Sequence, residues 1–208
     1  MTGLWIAVGV LGVLLVLGVA GMFLLLAMGR LSLDLGSGRS LHELGPITIR
    51  IAAPRDLVFE MISAPYTGRT PGSSGIDVIA RSDALVVAAH HTKLRFYTAR
   101  TVEVIEFDPP SRVGFRHLAG PVPYAVEQFA LEESDGGTEI QYGGEVGIDF
   151  FILGRAAGRH WVRPTWERTV REHLEDLKDR AEQRAAARRS RESRETALDQ
   201  PARHPPDA

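Results

Sequence analysis

The chain contains no cysteine among its 208 residues. This absence excludes disulfide bonds, thiolate metal ligands and a cysteine nucleophile. An excess of charge is also lacking: the formal net charge is −2, which gives no reason to expect a nucleic-acid partner. Lysine is nearly absent, since Lys93 and Lys178 are the two lysines among 24 basic residues. We attribute that bias to a G+C-rich bacterial genome.

The motifs of several common enzyme classes are missing too. The sequence has no GxxxxGK[ST] phosphate loop, no GxSxG nucleophile elbow and no HExxH zinc-binding helix. His90 and His91 are adjacent, but neighbouring residues of a strand point to opposite faces of the sheet, so the two imidazoles do not share a metal ion. We therefore predict neither a metal site nor a cofactor.

One long hydrophobic run stands out at the N-terminus. Residues 4–28 carry no charged side chain, and Arg30 ends the run. With a rise of about 1.5 Å per residue, a helix of this length crosses a hydrocarbon core of about 30 Å. We predict a transmembrane helix over 4–28. The alternative is a cleaved signal peptide, but no Lys or Arg precedes the run, it exceeds the roughly 7–15 apolar residues of such peptides, and no clear A-x-A cleavage site follows.

The basic residues around this run predict its orientation. Arg30, Arg39 and Arg50 follow the run, whereas no basic residue precedes it. The positive-inside rule then places the N-terminus outside and the rest of the chain in the cytoplasm. We expect a single-pass protein of the cell membrane, with the lipid bilayer as its first partner.

The rest of the chain divides into three parts. Residues 30–45, with Gly36-Ser37-Gly38 at their centre, predict a short linker. Residues 46–184 are long enough for one well-buried domain. Residues 185–208 have low hydrophobicity and contain three prolines, so we predict a disordered tail.

Hydrophobic periodicity predicts an α+β domain. A helix that begins at Pro54 separates the first two strands, and a long helix follows Pro164. If residues 151–163 are an earlier part of that long helix, Pro164 introduces a kink between the two parts. Connections rich in Gly, Pro and Asp favour antiparallel hairpins. The fold class predicted is a curved antiparallel sheet of about seven strands wrapped round a long C-terminal helix. The predicted strands are 46–52, 76–81, 85–91, 96–107, 112–118, 124–132 and 138–148.

The domain contains four segments that carry a family resemblance: IRIAAPRDLVFEMIS (49–63), VEVIEFDPPSRVGFR (102–116), FALEESDGGTEIQY (129–142) and RTVREHLEDLKDRAE (168–182). They resemble the START-like superfamily, also called SRPBCC, and in particular its polyketide cyclase/dehydrase and lipid-transport group. The resemblance implies a helix-grip fold with a cavity between the sheet and the C-terminal helix. It also implies an apolar ligand such as a lipid, sterol or polyketide; some members carry out cyclisation or dehydration there, and many only bind.

Strand alternation indicates which side chains face that cavity. Glu127 shares a face with the apolar Phe129, and His117 shares a face with Phe115. A carboxylate and an imidazole on apolar walls suit general acid–base chemistry, so Glu127 and His117 are the candidate catalytic pair. The alternative is that each is hydrated or bonded to backbone near a strand end. The predicted cavity lining is His117, Glu127, Phe129, Tyr142, Trp166, Val170 and His173.

Basic and aromatic residues also recur just before the long helix. Arg155, Arg159 and Arg163 are spaced by four residues, with Trp161 and Trp166 beside them. If this segment is helical, the arginines form one basic stripe. Such a stripe is either a solvated helix face or a contact with anionic lipid headgroups.

Three functional hypotheses follow. The first is a membrane-anchored binding module that holds a small apolar or lipid-like ligand. The second is a cyclase/dehydrase-type enzyme that uses Glu127 and His117. The third is a scaffold with a filled cavity, which only contacts protein partners. We favour the binding module and keep the enzyme as the alternative, because lipid is the nearest apolar ligand for a domain tethered to a bilayer.

Overall fold

The structure is a computed structural model, and it describes residues 2–67, 75–82, 85–93 and 96–198. The helices and strands follow the order that the sequence predicts, and a π-helical turn, Gly158–Val162, joins the last two helices. In chain order the elements are α1 Thr2–Ala27, β1 Ser40–Ile51, α2 Arg55–Thr67, β2 Ile76–Arg81, β3 Leu85–Lys93, β4 Thr98–Asp108, β5 Arg112–Ala119, β6 Tyr124–Ser134, β7 Gly137–Ile148, α3 Phe151–Ala157 and α4 Arg163–Leu198.

The seven strands form one antiparallel sheet with the order β1-β7-β6-β5-β4-β3-β2. Strands β2 to β7 follow one another as hairpins, while β1 pairs with the last strand, β7. The predicted α+β fold class is therefore confirmed. We call the face of the sheet turned towards α4 the inner face.

Helix α4 covers the inner face with one apolar stripe. Val170, Leu174, Leu177 and Ala181 are all buried and recur at the spacing of a single helix face. They join the core formed by inner-face residues such as Ile140. Burying a leucine side chain is worth about 1.5–3 kcal/mol, so this stripe is what holds the helix against the sheet.

The start of the long helix is irregular because of Pro164. Proline has no N–H to donate to the carbonyl four residues earlier. A π-helical turn immediately before it, Gly158–Val162, accommodates the lost bond and joins α3 to α4 without a break. Residues 151–162 thus lead into α4, which begins at Arg163, in one helical segment, as the sequence suggests.

The linker is shorter than predicted and is bound to the domain. Strand β1 begins at Ser40, so residues 40–45 belong to the sheet, where they pair with the end of β7. The backbone N–H of Leu35 donates to Asp149 Oδ2 at 2.8 Å, and Arg39 Nε donates to Asp149 Oδ1 at 2.8 Å. Ser32 exchanges hydrogen bonds with Gly120.

The predicted disordered tail is instead helical as far as Leu198, where α4 ends. Ala185 is buried, and Arg188 Nη2 lies 3.4 Å from Glu60 Oε2 of α2, so tertiary contacts continue past residue 184. The predicted tail begins too early because the three prolines that indicate disorder all lie after residue 200. Residues 199–208 lie outside the described residues.

Helix α1 has the length and composition of a membrane-spanning helix. Over Trp5–Ala27 its mean hydropathy is 2.8, and none of that stretch is buried by the rest of the protein. Among the described residues it is the one helix that meets these criteria, which a signal sequence near the N-terminus would also meet. That α1 crosses a membrane remains a proposal.

Candidate functional site

A carboxyl group lies at the centre of the inner face. Glu127 of β6 accepts two hydrogen bonds on its Oε2 atom. One comes from the Tyr142 hydroxyl on the neighbouring strand β7, at 2.5 Å, and the other from the Trp166 indole N–H on α4, at 2.9 Å. The carboxyl therefore links the sheet to the long helix.

The environment of Glu127 favours its protonated form. Burial, and then the negative charge of Glu103, raise the pKa of Glu127 to about 7. The hydrogen bonds from Tyr142 and Trp166 and the nearby His117 act in the opposite direction but do not outweigh burial. A carboxyl group with this pKa is present in both protonation states near neutral pH, so it can donate or accept a proton.

A second polar cluster lies on the same face, on strands β3 to β5. Glu103 is buried, and its carboxylate lies 3.3 Å from His90 Nδ1 and 4.0 Å from His117 Nδ1. Glu103 and His117 stand directly opposite each other in the β4–β5 ladder. On the other side of His90, its Nε2 atom is 3.2 Å from the hydroxyl of Tyr66 on α2.

The pKa shifts in this cluster are downward, opposite to the shift of Glu127. Burial works against ionisation of Glu103, but the imidazoles of His117 and His90 outweigh it and hold the pKa of Glu103 below its usual value. Burial lowers the pKa of His90, although Glu103 opposes that effect. At neutral pH the cluster therefore holds an ionised carboxylate beside a neutral His90 imidazole.

His117 is buried without a hydrogen bond. Its side chain is 1% exposed, and neither ring nitrogen has a hydrogen-bond partner among the described residues, because 4.0 Å from Glu103 is too far for one. An unpaired buried imidazole is costly, so such groups mark places where a water or a ligand completes the bonding.

A row of aromatic rings connects the two clusters. The ring centroids are 6.2 Å apart from Tyr66 to Phe115, 5.7 Å from Phe115 to Phe129 and 5.2 Å from Phe129 to Tyr142. Phe129, Glu127 and Trp166 are partly buried as whole residues, while the Glu127 carboxyl is enclosed enough for burial to be the main cause of its pKa shift. The inner face beside Glu127 is therefore aromatic with one carboxyl group.

Two open concavities lie instead on the outer face of the sheet. One has a volume of about 530 Å³ and contains Gln128 and Gln141, and the other has about 380 Å³ and contains Glu106 and Arg116. Glu127 also lines the second concavity and Tyr142 the first, but the other polar side chains that line them are exposed or partly exposed. We place the candidate site on the inner face because the buried polar clusters are there.

The structure brings together most of the predicted lining. The Glu127 carboxyl is bonded to Tyr142 and Trp166, the Phe129 ring lies 5.2 Å from that of Tyr142, and Val170 is buried on α4. The prediction that His173 lines the cavity needs correction, whereas the catalytic pairing of Glu127 with His117 stays a prediction. His117 faces Glu103 and makes no hydrogen bond with Glu127, because its strand partner is β4 at that point. His173 is exposed beside the buried Leu174, although it is close enough to His90 to disfavour the protonated imidazole.

Sequence reasoning missed the second cluster. Glu103 lies on the same face of β4 as the buried Ile105. Val102 and Val104 lie on the other face, so alternation alone allows either face of this strand to be the inner one. For His90, the sequence draws attention only to its adjacency to His91. The structure turns His90 inwards and His91 outwards, where its Nε2 lies 3.0 Å from Asp77 Oδ2, as alternation along a strand requires.

The sheet, the gripping C-terminal helix and the polar inner face define a START-like domain of the helix-grip class. A family model described as "Polyketide cyclase / dehydrase and lipid transport" matches residues 47–182, and the chain belongs to that family. No curated protein matches the chain.

Solved structures share this fold at low sequence identity. TTHA0849 from Thermus thermophilus is 17% identical, with a TM-score of 0.56 over 68% of this chain and 97% of that protein. The di-domain ARO/CYC BexL of the BE-7585A biosynthetic pathway is 23% identical, with a TM-score of 0.57 over 70% of this chain. The di-domain ARO/CYC StfQ of the steffimycin biosynthetic pathway is 15% identical, with a TM-score of 0.58 over 71% of this chain. The match spans 50% of BexL and 52% of StfQ.

Proposed function

We propose that this protein is a membrane-tethered domain that binds a small apolar ligand between the sheet and α4. The observation that carries the proposal is the composition of the inner face beside Glu127. A row of aromatic rings ends at a carboxyl group that is held by Tyr142 and Trp166 and has a pKa of about 7. Sites for small apolar molecules combine such apolar walls with a few placed polar groups.

The polar groups suggest what the ligand carries. Glu127 in its protonated form donates to a carbonyl oxygen, and in its ionised form it accepts from a hydroxyl. The unpaired His117 offers a second polar contact in the neighbouring cluster. We therefore expect a mostly apolar or aromatic molecule with at least one hydroxyl or carbonyl group, of a size that spans the row of rings.

The membrane tether supports a lipid-like source for this ligand. Helix α1 has the length and composition to cross a bilayer, and its end is hydrogen-bonded to the domain, since the backbone N–H of Arg100 donates to the Met28 carbonyl at 3.0 Å. A domain held this close to a bilayer meets apolar molecules at high local concentration.

One observation favours an enzymatic alternative. A carboxyl group with a pKa of about 7 suits general acid–base catalysis, and the uncommitted His117 imidazole is near enough to lower that pKa. The second candidate function is accordingly a cyclisation or dehydration in the same site, with Glu127 and His117 as the acid and base. The ARO/CYC relatives agree with this alternative through their fold alone.

The test is native mass spectrometry of the full-length protein extracted in detergent, followed by identification of any bound molecule. We compare wild type with Glu127→Gln, which keeps the shape of the side chain but removes its proton chemistry. The matched control is Glu132→Gln, which removes an exposed carboxylate from the same strand. We expect a stoichiometric apolar molecule in the wild type and in the control, and a reduced occupancy in Glu127→Gln.

The other outcomes separate the alternatives. If the Glu127→Gln protein holds a molecule heavier by one water than that of the wild type, dehydration in the site is supported. If no apolar molecule accompanies any of the three proteins, the binding proposal fails and a scaffold that contacts only protein partners becomes the better account.

A further inference from the structure

The segment that leads into α4 exposes its large apolar side chains and buries its glycines. Phe151, Ile152 and Leu153 are 65%, 80% and 77% exposed. Gly154 and Gly158 are buried on the opposite side, where a Cβ would collide with the Asp149 carbonyl and with the ring of His42. A surface helix in water has the reverse arrangement. We call the exposed side chains of Phe150, Phe151, Ile152, Leu153 and Trp161 the apolar ridge.

The backbone holds the ridge in this exposed position. Phe150 and Phe151 have φ angles of 78° and 49°, in the left-handed region that large side chains rarely adopt. Residues in this region persist where surrounding contacts fix them. Here the Phe151 N–H donates to the Gly38 carbonyl at 3.0 Å, and the Leu153 N–H donates to the Phe150 carbonyl at 3.1 Å.

The ridge is joined to the end of α1 by a bonded stretch of chain. The Met28 carbonyl is bonded to Arg100 of β4, and Leu35 and Arg39 are bonded to Asp149. Gly38 then accepts the hydrogen bond from the first residue of α3. The linker is therefore fastened to the domain along its length. If α1 crosses a bilayer, the ridge is held close to the surface of that bilayer.

The charge around the ridge is positive. Arg155 and Arg159 are exposed and have no ion pair among the described residues, whereas Arg163 pairs with Glu167 at 2.9 Å. Residues 150–166 contain no acidic side chain. Aromatic and aliphatic side chains flanked by arginines are typical of segments that lie in a membrane interface.

We infer that the apolar ridge docks into the surface of a bilayer that contains anionic lipids. Its apolar side chains enter the boundary between headgroups and acyl chains, and Arg155 and Arg159 contact lipid phosphates. The inference rests on the proposed membrane tether and extends it to a second contact. The π-helical turn connects the ridge to Trp166, which bonds to Glu127, so docking would set the inner face beside the bilayer.

The test uses full-length protein reconstituted into vesicles of phosphatidylcholine and phosphatidylglycerol. Because the chain has no cysteine, Ile152→Cys provides a single attachment site for a nitroxide spin label. The matched control is Ile79→Cys, which labels an exposed isoleucine on β2 at the far edge of the sheet. The measurement is the accessibility of each label to oxygen, which concentrates in lipid, relative to a water-soluble nickel reagent.

We expect the label at position 152 to favour oxygen several-fold more than the label at position 79. Arg155→Gln with Arg159→Gln should reduce that difference. Arg184→Gln with Arg189→Gln, on the exposed C-terminal part of α4, should leave it unchanged. In vesicles of phosphatidylcholine alone the difference should also shrink, because the headgroup attraction is lost.

Three results would overturn the inference in different ways. Protein that does not float with the vesicles contradicts the tether itself. If the protein floats but its label at 152 is as accessible to nickel as the label at 79, the tether is supported and the docking of the apolar ridge is contradicted. A label at 152 that is shielded from both reagents shows that the ridge meets another protein or a second copy of this chain.

Discussion

Two buried carboxyl groups on the same face of one sheet have opposite acid–base properties. The pKa of Glu127 is raised to about 7, whereas that of Glu103 lies below its usual value. Both are removed from water, and burial alone would raise both pKa values. The difference lies in their neighbours, since Glu103 faces two imidazoles and Glu127 faces a hydroxyl and an indole that stay uncharged. Burial makes the pKa of each carboxyl group sensitive to its surroundings, and the neighbouring side chains decide whether that pKa is raised or lowered.

The largest expected effect is a pH dependence of stability that comes from Glu127. Its pKa rises from an ordinary 4.5 to about 7 on folding, so the folded protein binds more protons than the unfolded chain between these values. The free energy of unfolding therefore falls as pH rises through this window, by up to about 3 kcal/mol. Glu127→Gln should abolish this loss, as measured by denaturant unfolding of the full-length protein in detergent at a series of pH values.

The control for this measurement must allow for His90. The lowered pKa of His90 makes stability rise with pH below 6.5, in the opposite sense to Glu127. The quantity to compare is therefore the difference between the variant and the wild type at each pH. Glu132→Gln, on the exposed side of the same strand, should give a flat difference. A flat difference for Glu127→Gln as well would contradict the raised pKa.

A somewhat smaller effect is expected from Glu103→Gln. Removing this buried charge weakens its contacts with His90 and His117, and we expect a loss of stability of about 1–3 kcal/mol. The same change should lower the pKa of Glu127, because the negative charge of Glu103 is one of the causes that raise it. A carbon-13 NMR titration of the Glu127 carboxyl measures that shift, and an unchanged titration would show that the two clusters do not interact.

Removing the hydroxyl that bonds Glu127 should have an effect of about 1–2 kcal/mol. In Tyr142→Phe the carboxyl loses its 2.5 Å hydrogen bond, which favours the ionised form, so the pKa of Glu127 should rise above 7. Tyr124→Phe is the matched control, because that hydroxyl bonds to Glu145 at 2.6 Å and does not contact Glu127. The same NMR titration distinguishes them, and equal titrations in the two variants would contradict the role of Tyr142.

The sequence predicts the scaffold of this site better than its chemistry. Alternation along β6 and β7 places Glu127, Phe129 and Tyr142 on the inner face, and the spacing from Trp166 to Val170 places the helix opposite them. The partner of His117 could not be deduced, because it depends on the register of β5 against β4, which carries an irregularity between Val102 and Glu103. Alternation fixes a face, whereas the contacts within that face depend on strand register and side-chain geometry.

The smallest expected effect concerns the outer of two histidine–carboxylate pairs whose histidines lie on one strand. His90 turns inwards to the buried Glu103, while the next residue, His91, turns outwards to Asp77, whose side chain is 75% exposed. Water and salt screen the outer pair, so Asp77→Asn should change the free energy of unfolding by no more than about 0.5 kcal/mol. Denaturant unfolding at low and at high salt measures it. A loss comparable to that of Glu103→Gln would mean that desolvation is not what separates the two faces of the strand.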